Sequence, residues 1–152
     1  MKKLLIIVCL FVYNQHSFAQ SITVELDSLL DQWYQAAATS NFKVYFDFMD
    51  EDFVFLGTDP SERWTKQEFA SFCKPYFDAG KGWDFKKIER TISLSKNGKM
   101  AWFDETIDTW MNVCRGSGVL VKKKKEWKII QYNLAVLIEN GKMNQFLRLR
   151  NQ

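Results

Sequence analysis

The apolar residues of this chain change their spacing once, close to Trp83, and that change limits the folds available to it. Before Trp83 they recur every three or four residues, which predicts an amphipathic helix over residues 22–39. Its apolar stripe comprises Leu26, Leu29, Leu30, Trp33 and Ala37. After Trp83 the spacing is two, which predicts long strands at residues 85–95, 99–112, 114–122 and 127–138. Helices followed by consecutive strands are typical of an α+β domain whose helices pack on one face of a curved antiparallel sheet.

Shorter elements lie between the first helix and the strands. Asn41 can cap a short second helix that runs through Met49, and residues 53–56 predict a brief strand. Thr65 and Glu68 have the spacing of a capping box, in which each side chain satisfies the other residue's free backbone amide. We therefore expect a third helix to begin at Thr65.

The turns between the strands predict which residues face each other. Asn97-Gly98 favours a type I′ hairpin turn, because both central residues of that turn need a positive φ. Further turns are expected near Met111-Asn112 and at the lysine-rich residues 123–126. The resulting pairs are Thr91 with Asp104, Ser93 with Trp102, Thr106 with Ser117, and Ser117 with Tyr132.

Strict alternation along these strands sorts their side chains onto two faces. One face mixes aromatic and polar groups, which is how a ligand pocket is lined. It carries Thr91, Ser93, Trp102, Asp104, Thr106, Asp108, Arg115, Ser117, Val119, Ile130, Tyr132 and Leu134. The other face is mostly apolar and suits helix packing or a dimer interface. It carries Ile88, Ile92, Leu94, Phe103, Glu105, Ile107, Leu120, Trp127, Ile129, Gln131 and Asn133.

Residues 1–19 have the pattern of a secretory signal peptide. Lys2 and Lys3 form a basic start, residues 4–13 are apolar, and Ser17-Phe18-Ala19 is a cleavage site with small residues at its first and last positions. The apolar run is too short to span a bilayer, which needs about 20 residues. We therefore expect cleavage after Ala19, one domain over residues 20–152 with its core at about 22–138, and a periplasmic or secreted location without a membrane anchor.

Removal of this leader changes the chemistry available to the domain. The formal charge falls from +3 to +1 with the loss of Lys2 and Lys3, which argues against a nucleic-acid partner. The single histidine, His16, is also lost, which excludes Ser-His-Asp and Cys-His catalysis and histidine-ligated zinc. Cys73 and Cys114 remain as either a disulfide or two buried thiols. The sequence indicates no metal site and no cofactor.

Three stretches resemble a known family. They are GTDPSERWT at residues 57–65, AWFDE at 101–105, and RGSGVLV followed by EWKIIQYNLAV within 115–136. Together they are similar to the SnoaL-like branch of the nuclear transport factor 2-like superfamily, across about residues 22–138. The resemblance implies a cone-shaped curved sheet that is wrapped by three N-terminal helices around a cavity. It leaves the function open, because this fold supports many functions.

Two residues of the predicted pocket face are candidates for catalysis. Asp104 can act as a general base or as a polar anchor for a ligand, or it can form a structural ion pair with Arg115 on the neighbouring strand. Tyr132 can donate a hydrogen bond to a carbonyl or enolate oxygen, or it can be a wall residue with a satisfied hydroxyl. An enzyme that uses this pair would be an isomerase, dehydratase or cyclase acting next to a carbonyl.

Aromatic residues suggest a second type of site. They can form a cage for a flat apolar ligand, or they can be plain core. The predicted ligand-binding residues are Trp33, Phe55, Trp64, Tyr76, Trp102, Asp104, Arg115, Ser117 and Tyr132. The function that we expect is binding of a small, mostly apolar or aromatic molecule by a homodimer formed through the sheet. The alternatives are the enzyme described above and a protein-interaction module.

Overall fold

Three helices precede the long strands, as the change in spacing predicts. The computed structural model describes residues 2–150, with side chains from residue 20 onward. Helix α1 spans Lys2–Ala38, α2 spans Phe42–Asp47 and α3 spans Lys66–Asp78. A short 3-10 turn at Asn140–Lys142 leads into a C-terminal helix, α4, at Met143–Arg150, which the sequence analysis did not predict.

The side chains of the predicted leader lie outside the described residues, so cleavage after Ala19 stays a prediction. Within the described part of the chain, no helix is long and apolar enough to cross a membrane.

Six strands form one curved, open sheet. They are β1 at Met49–Leu56, β2 at Arg63–Thr65, β3 at Lys86–Leu94, β4 at Met100–Thr109, β5 at Asn112–Lys123 and β6 at Glu126–Val136. Their spatial order is β2-β1-β6-β5-β4-β3. All pairs are antiparallel except β1 with β6, which run parallel. The α+β fold class is confirmed, whereas β2 was missed because three residues beside a turn carry no strand periodicity.

The helices bury the apolar stripes that their spacing predicts. On α1, Leu26, Leu30 and Trp33 are each 2% exposed or less. The capping box at the start of α3 is present: the Thr65 side chain accepts from the Glu68 amide, and the Glu68 carboxylate accepts from the Thr65 amide at 2.8 Å. Helix α1 packs against β3 and α3 packs against β1, on the concave side of the sheet, where the core lies.

The hairpin between β3 and β4 has the predicted register but a different turn. Thr91 pairs with Asp104 and Ser93 with Trp102, as expected. The type I′ assignment is wrong, because only Gly98 has a positive φ, of 65°, while Asn97 does not. The Asn97 side chain instead accepts from the Lys99 amide at 3.0 Å. This side-chain hydrogen bond stabilises the turn without a positive φ at Asn97.

The pairing of β4 with β5 differs from the prediction by two residues. Thr106 faces Arg115 rather than Ser117, and Ser117 faces Asp104. The cause is an earlier turn: Thr109 already pairs with Asn112, whose φ is +68°. A shift of two residues leaves every side chain on its own face of the sheet.

The pairing of β5 with β6 contains a β-bulge that the sequence analysis missed. Near the lysine-rich turn the register is the expected one, but it shifts by one residue between Val119 and Leu120. As a result Gly118, not Ser117, faces Tyr132. The bulge also interrupts the alternation of β6. Its buried residues are Trp127, Ile129, Tyr132 and Leu134.

The prediction that the Trp102 and Asp104 face of β4 and β5 lines the pocket is wrong, whereas the mostly apolar face packs against the helices, as predicted. Phe103, Glu105 and Ile107 point into the core, while Trp102 and Asp104 are exposed on the outer face. The prediction placed the pocket and the helices on opposite faces. In the structure the helices cover only part of the concave face, so the core and the cavity share it. The bulge brings Tyr132 and Leu134 to this same face.

Candidate functional site

A cavity of 410 Å³ lies between the concave face of the sheet and the helices. Of the eighteen residues that line it, twelve are aromatic. Several of these rings stack in pairs: Phe55 on Phe69 with centres 4.1 Å apart, and Trp33 on Tyr45 at 5.0 Å. The cavity wall is thus mostly apolar and consists largely of packed aromatic rings.

The rim of the cavity is more exposed and more polar than its interior. Trp110 at the β4–β5 turn is 84% exposed, and Phe72 and Tyr76 on α3 are about half exposed. The lining also includes one acidic and one basic side chain, Glu62 and Lys81. These groups lie around the opening of the cavity.

The structure brings together only some of the predicted site residues. Those that line the cavity are Trp33, Phe55, Trp64, Tyr76 and Tyr132. Trp102, Asp104, Arg115 and Ser117 do not line it, and they point away from the concave face. Asp104 is exposed on the opposite side of the sheet, so it cannot act as a base on a molecule held in the cavity. The physical reason is that the cavity lies on the same face of β4 and β5 as the helices, opposite to these four side chains.

A buried polar cluster adjoins the cavity, and Glu105 is its centre. The Glu105 side chain is 0% exposed, and one of its oxygens accepts a hydrogen bond from the Tyr34 hydroxyl. The other oxygen accepts from Arg90 Nε at 2.7 Å. The Tyr34 and Tyr132 hydroxyls lie 2.7 Å apart, and Tyr132 also lies 3.5 Å from Glu105 Oε1. Tyr34 and Tyr132 line the cavity, whereas Glu105 lies behind them.

Gly116 leaves the space that this cluster needs. It lies directly opposite Glu105 on the neighbouring strand. A Cβ atom at this position would lie 2.5 Å from the Tyr132 hydroxyl and 2.6 Å from Glu105 Oε1. Any larger residue would therefore displace one of these two side chains. This contact explains the first glycine of the RGSG segment.

Burial and nearby charge act in opposite directions on Glu105. Burial has the larger effect and raises the pKa of Glu105 above its ordinary value, while the Arg90 guanidinium and the tyrosine hydroxyls partly offset this rise. Arginine stays charged at every pH that proteins tolerate, so a fixed positive charge lies 2.7 Å from the carboxylate. The 2.7 Å contact with Arg90 has the geometry of an ion pair between the guanidinium and the carboxylate form of Glu105. Burial also raises the pKa of Tyr34 and of Tyr132, which keeps both hydroxyls protonated.

The cluster continues to the protein surface through Arg90. The Arg90 side chain is 1% exposed, and its Nη1 donates to Asp27 Oδ1 at 2.7 Å and to Asp31 Oδ1 at 2.8 Å. Lys87 pairs with the same two aspartates at 3.0 and 2.8 Å. These contacts tie α1 to β3 and fix the position of Glu105 behind the cavity wall.

The sequence analysis missed Tyr34, Arg90 and Glu105 as site residues. The sequence does distinguish Glu105, because it is the only carboxylate among the residues assigned to the mostly apolar face. Tyr34 follows Trp33 at the edge of the apolar stripe of α1 and had no such signal.

The described part of the chain holds neither a cluster of metal-ligating side chains nor a disulfide. The described residues contain no group of three or more His, Cys, Asp or Glu side chains that could hold a metal ion. Cys73 and Cys114 are both buried free thiols. Burial raises the pKa of Cys73, so its sulfur stays protonated.

Known proteins share this architecture. The family model of the SnoaL-like domain matches residues 26–139, and no curated protein sequence matches the chain. One similar solved structure is an NTF2-like protein of unknown function from Pseudomonas putida KT2440, with 12% identity, a TM-score of 0.67, and coverage of 80% of this chain and 91% of that one.

Two further solved structures are similar. A domain of unknown function with a cystatin-like fold from Nostoc punctiforme has 14% identity, a TM-score of 0.66 and coverage of 86% of both chains. The association domain of C. elegans CaMKII has 13% identity, a TM-score of 0.64, and coverage of 78% of this chain and 98% of that one. At these identities the likeness concerns the fold alone. The family model spans most of the sequence, and the chain therefore belongs to the SnoaL-like domain family, with the nuclear transport factor 2-like fold.

Proposed function

We propose that this chain is an exported domain that binds a small, flat, mostly apolar molecule in its cavity. The observation that carries the proposal is the aromatic lining of a 410 Å³ cavity. That volume lies in the range of small-molecule sites, which are mostly apolar with a few polar groups. Export is supported by the basic and apolar segments of residues 1–19 and by the predicted cleavage site after Ala19.

The position of the carboxylates favours binding over proton abstraction. Asp104 is on the outer face, and Glu105 is covered by Tyr34 and Tyr132 and paired with Arg90. A general base must come within hydrogen-bond reach of the proton that it removes. Glu62 at the rim is the one carboxylate among the lining residues. The aromatic wall therefore supports retention of a ligand more directly than turnover.

Two tryptophans make a matched test of this proposal. Trp64 lines the cavity and stacks on Phe55 at 5.8 Å, whereas Trp102 is half exposed on the outer face. With 2-naphthol and 2-methylnaphthalene as probes, we expect Trp64→Ala to weaken binding roughly fivefold, because one stacked aromatic contact contributes on the order of 1 kcal/mol. Trp102→Ala is expected to bind as the unchanged protein does. Equilibrium titration of tryptophan fluorescence gives both affinities.

Either of two results would contradict the proposal. The first is no binding of any flat aromatic probe at its solubility limit. The second is equal loss of affinity in Trp64→Ala and Trp102→Ala, which would place the bound probe outside the cavity.

We also propose that two copies of the chain associate through the outer face of the sheet. At one end of the β4–β5 pair this face exposes Trp102 at 50% and Met100 at 44%, with Val119 and Val121 opposite them on β5. Neighbouring exposed apolar side chains of this kind are typical of protein contact sites. One relative by fold is an association domain, which is compatible with a dimer.

The mass in solution tests this association. Trp102→Glu would place a charge in the centre of the proposed contact, where burial without a partner is costly. Light scattering on the unchanged protein should give the mass of two chains, and Trp102→Glu should give that of one. A single-chain mass for the unchanged protein would refute the dimer.

A further inference from the structure

The two tyrosine hydroxyls beside Glu105 point to a preference in the type of ligand. Both tyrosines line the cavity, and their oxygens lie 2.7 Å apart. A tyrosine hydroxyl has one proton to donate and lone pairs with which to accept. What these groups offer to a ligand therefore depends on where their protons are already engaged.

Glu105 accepts hydrogen bonds from these hydroxyl groups. As an ionised carboxylate it has no proton to give, and it only accepts. The Tyr34 hydroxyl donates to Glu105 Oε1. The Tyr132 hydroxyl has two acceptors in reach, the Tyr34 oxygen at 2.7 Å and Glu105 Oε1 at 3.5 Å. Both protons are thus used inside the cluster.

The lone pairs of the same oxygens accept fewer hydrogen bonds than their number allows. When Tyr132 donates to Tyr34, no other described group donates to the Tyr132 oxygen. The indole N–H of Trp33, which packs edge-on against Tyr132 at 5.1 Å, is already engaged with the Tyr45 carbonyl at 3.1 Å. The Tyr132 oxygen therefore keeps a lone pair to offer at this end of the cavity. One donor of the cluster, Arg90 Nη2, has no partner among the described residues, but Arg90 is not among the residues that line the cavity.

We propose that the Tyr34–Tyr132 end of the cavity acts as a hydrogen-bond acceptor and selects flat apolar ligands that carry a hydroxyl or amine donor over those that carry only an ether or carbonyl oxygen. This inference rests on the proposed function, because it specifies the class of ligand for the same cavity. Glu105 has the role of a positioning residue: it directs the tyrosine protons and touches no ligand itself.

Three naphthalenes with one differing substituent test the preference. 2-Naphthol carries a donor, 2-methoxynaphthalene carries only an acceptor, and 2-methylnaphthalene carries neither. An acceptor site should bind 2-naphthol tightest and 2-methoxynaphthalene weakest, because the ether oxygen meets tyrosine lone pairs and loses its hydrogen bonds to water. The expected difference between the first and the last is at least roughly tenfold, the size of one satisfied against one unsatisfied buried hydrogen bond.

A variant at Tyr132 locates the effect. Tyr132→Phe keeps the ring and removes the acceptor, so 2-naphthol should lose most of its advantage over 2-methylnaphthalene, while 2-methylnaphthalene binds as before. The order of the three compounds on the unchanged protein decides the question even if this variant does not fold.

The outcomes separate the two proposals. Tighter binding of 2-methoxynaphthalene than of 2-methylnaphthalene would overturn the acceptor inference and leave the binding function standing, since it would show a donor at this end of the cavity. Equal binding of all three would likewise overturn the inference alone. Binding of none of them would overturn both.

Discussion

Replacing Arg90 with leucine is expected to lower the free energy of unfolding by about 3–5 kcal/mol. The Arg90 side chain is 1% exposed and pairs with the fully buried Glu105. Without the guanidinium, the buried carboxylate has no counter-charge, and only Lys87 still pairs β3 with Asp27 and Asp31 of α1. The change should appear as a lower midpoint in urea unfolding at pH 7. A loss of this size is a large part of the stability of an ordinary domain.

Two further variants identify the cause. Arg90→Leu combined with Glu105→Gln should be more stable than Arg90→Leu alone, because the neutral amide removes the unpaired charge and still accepts from Tyr34. Arg115→Leu removes an exposed arginine from the outer face and should change stability by no more than about 0.5 kcal/mol. If Arg90→Leu were as mild as Arg115→Leu, the buried pair would have no role in stability.

Trp33→Ala is expected to lower the free energy of unfolding by a similar amount, about 3–5 kcal/mol. Trp33 is 2% exposed, stacks on Tyr45 at 5.0 Å, and donates from its indole nitrogen to the Tyr45 carbonyl at 3.1 Å. Truncation would remove the ring that joins α1 to α2 and to the wall of the cavity. It would also leave the Tyr45 carbonyl without this donor.

Trp110→Ala is the control for that change. Trp110 has the same side chain but is 84% exposed, so its loss should alter stability by about 0.5 kcal/mol or less. Thermal and urea unfolding of the two variants should therefore differ clearly. Similar unfolding curves would mean that the contacts of Trp33 do not stabilise the fold.

The fold was predictable from sequence because it depends on spacing that repeats over many residues. The stripe of α1, the capping box of Thr65 and Glu68, and the four long strands each rest on several concordant positions. An error at one residue leaves such elements intact. The β3–β4 register was correct even though the type of turn was not.

The site was less predictable because it depends on single residues. Tyr132 lines the cavity only because a bulge in β6 shifts the alternation by one position, and nothing in the sequence marks that bulge. Asp104 was placed in the pocket by the choice of face, and the neighbouring Glu105 is the residue that points inward. Choosing the face with the more polar residues fails when the functional polar group is a single carboxylate in an apolar wall.

The cluster of Tyr34, Glu105 and Tyr132 joins distant parts of the chain, which has a consequence for how this domain folds. Tyr34 and Tyr132, which meet in the cluster, are 98 residues apart in the sequence, and Tyr34 and Glu105 are 71 apart. Contacts of such separation form late, because closing long loops costs chain entropy before any contact is gained. During synthesis, a chain that has not yet reached β6 lacks Tyr132 and Leu134 and cannot complete the cavity wall. We therefore expect the proposed ligand binding to require the complete fold.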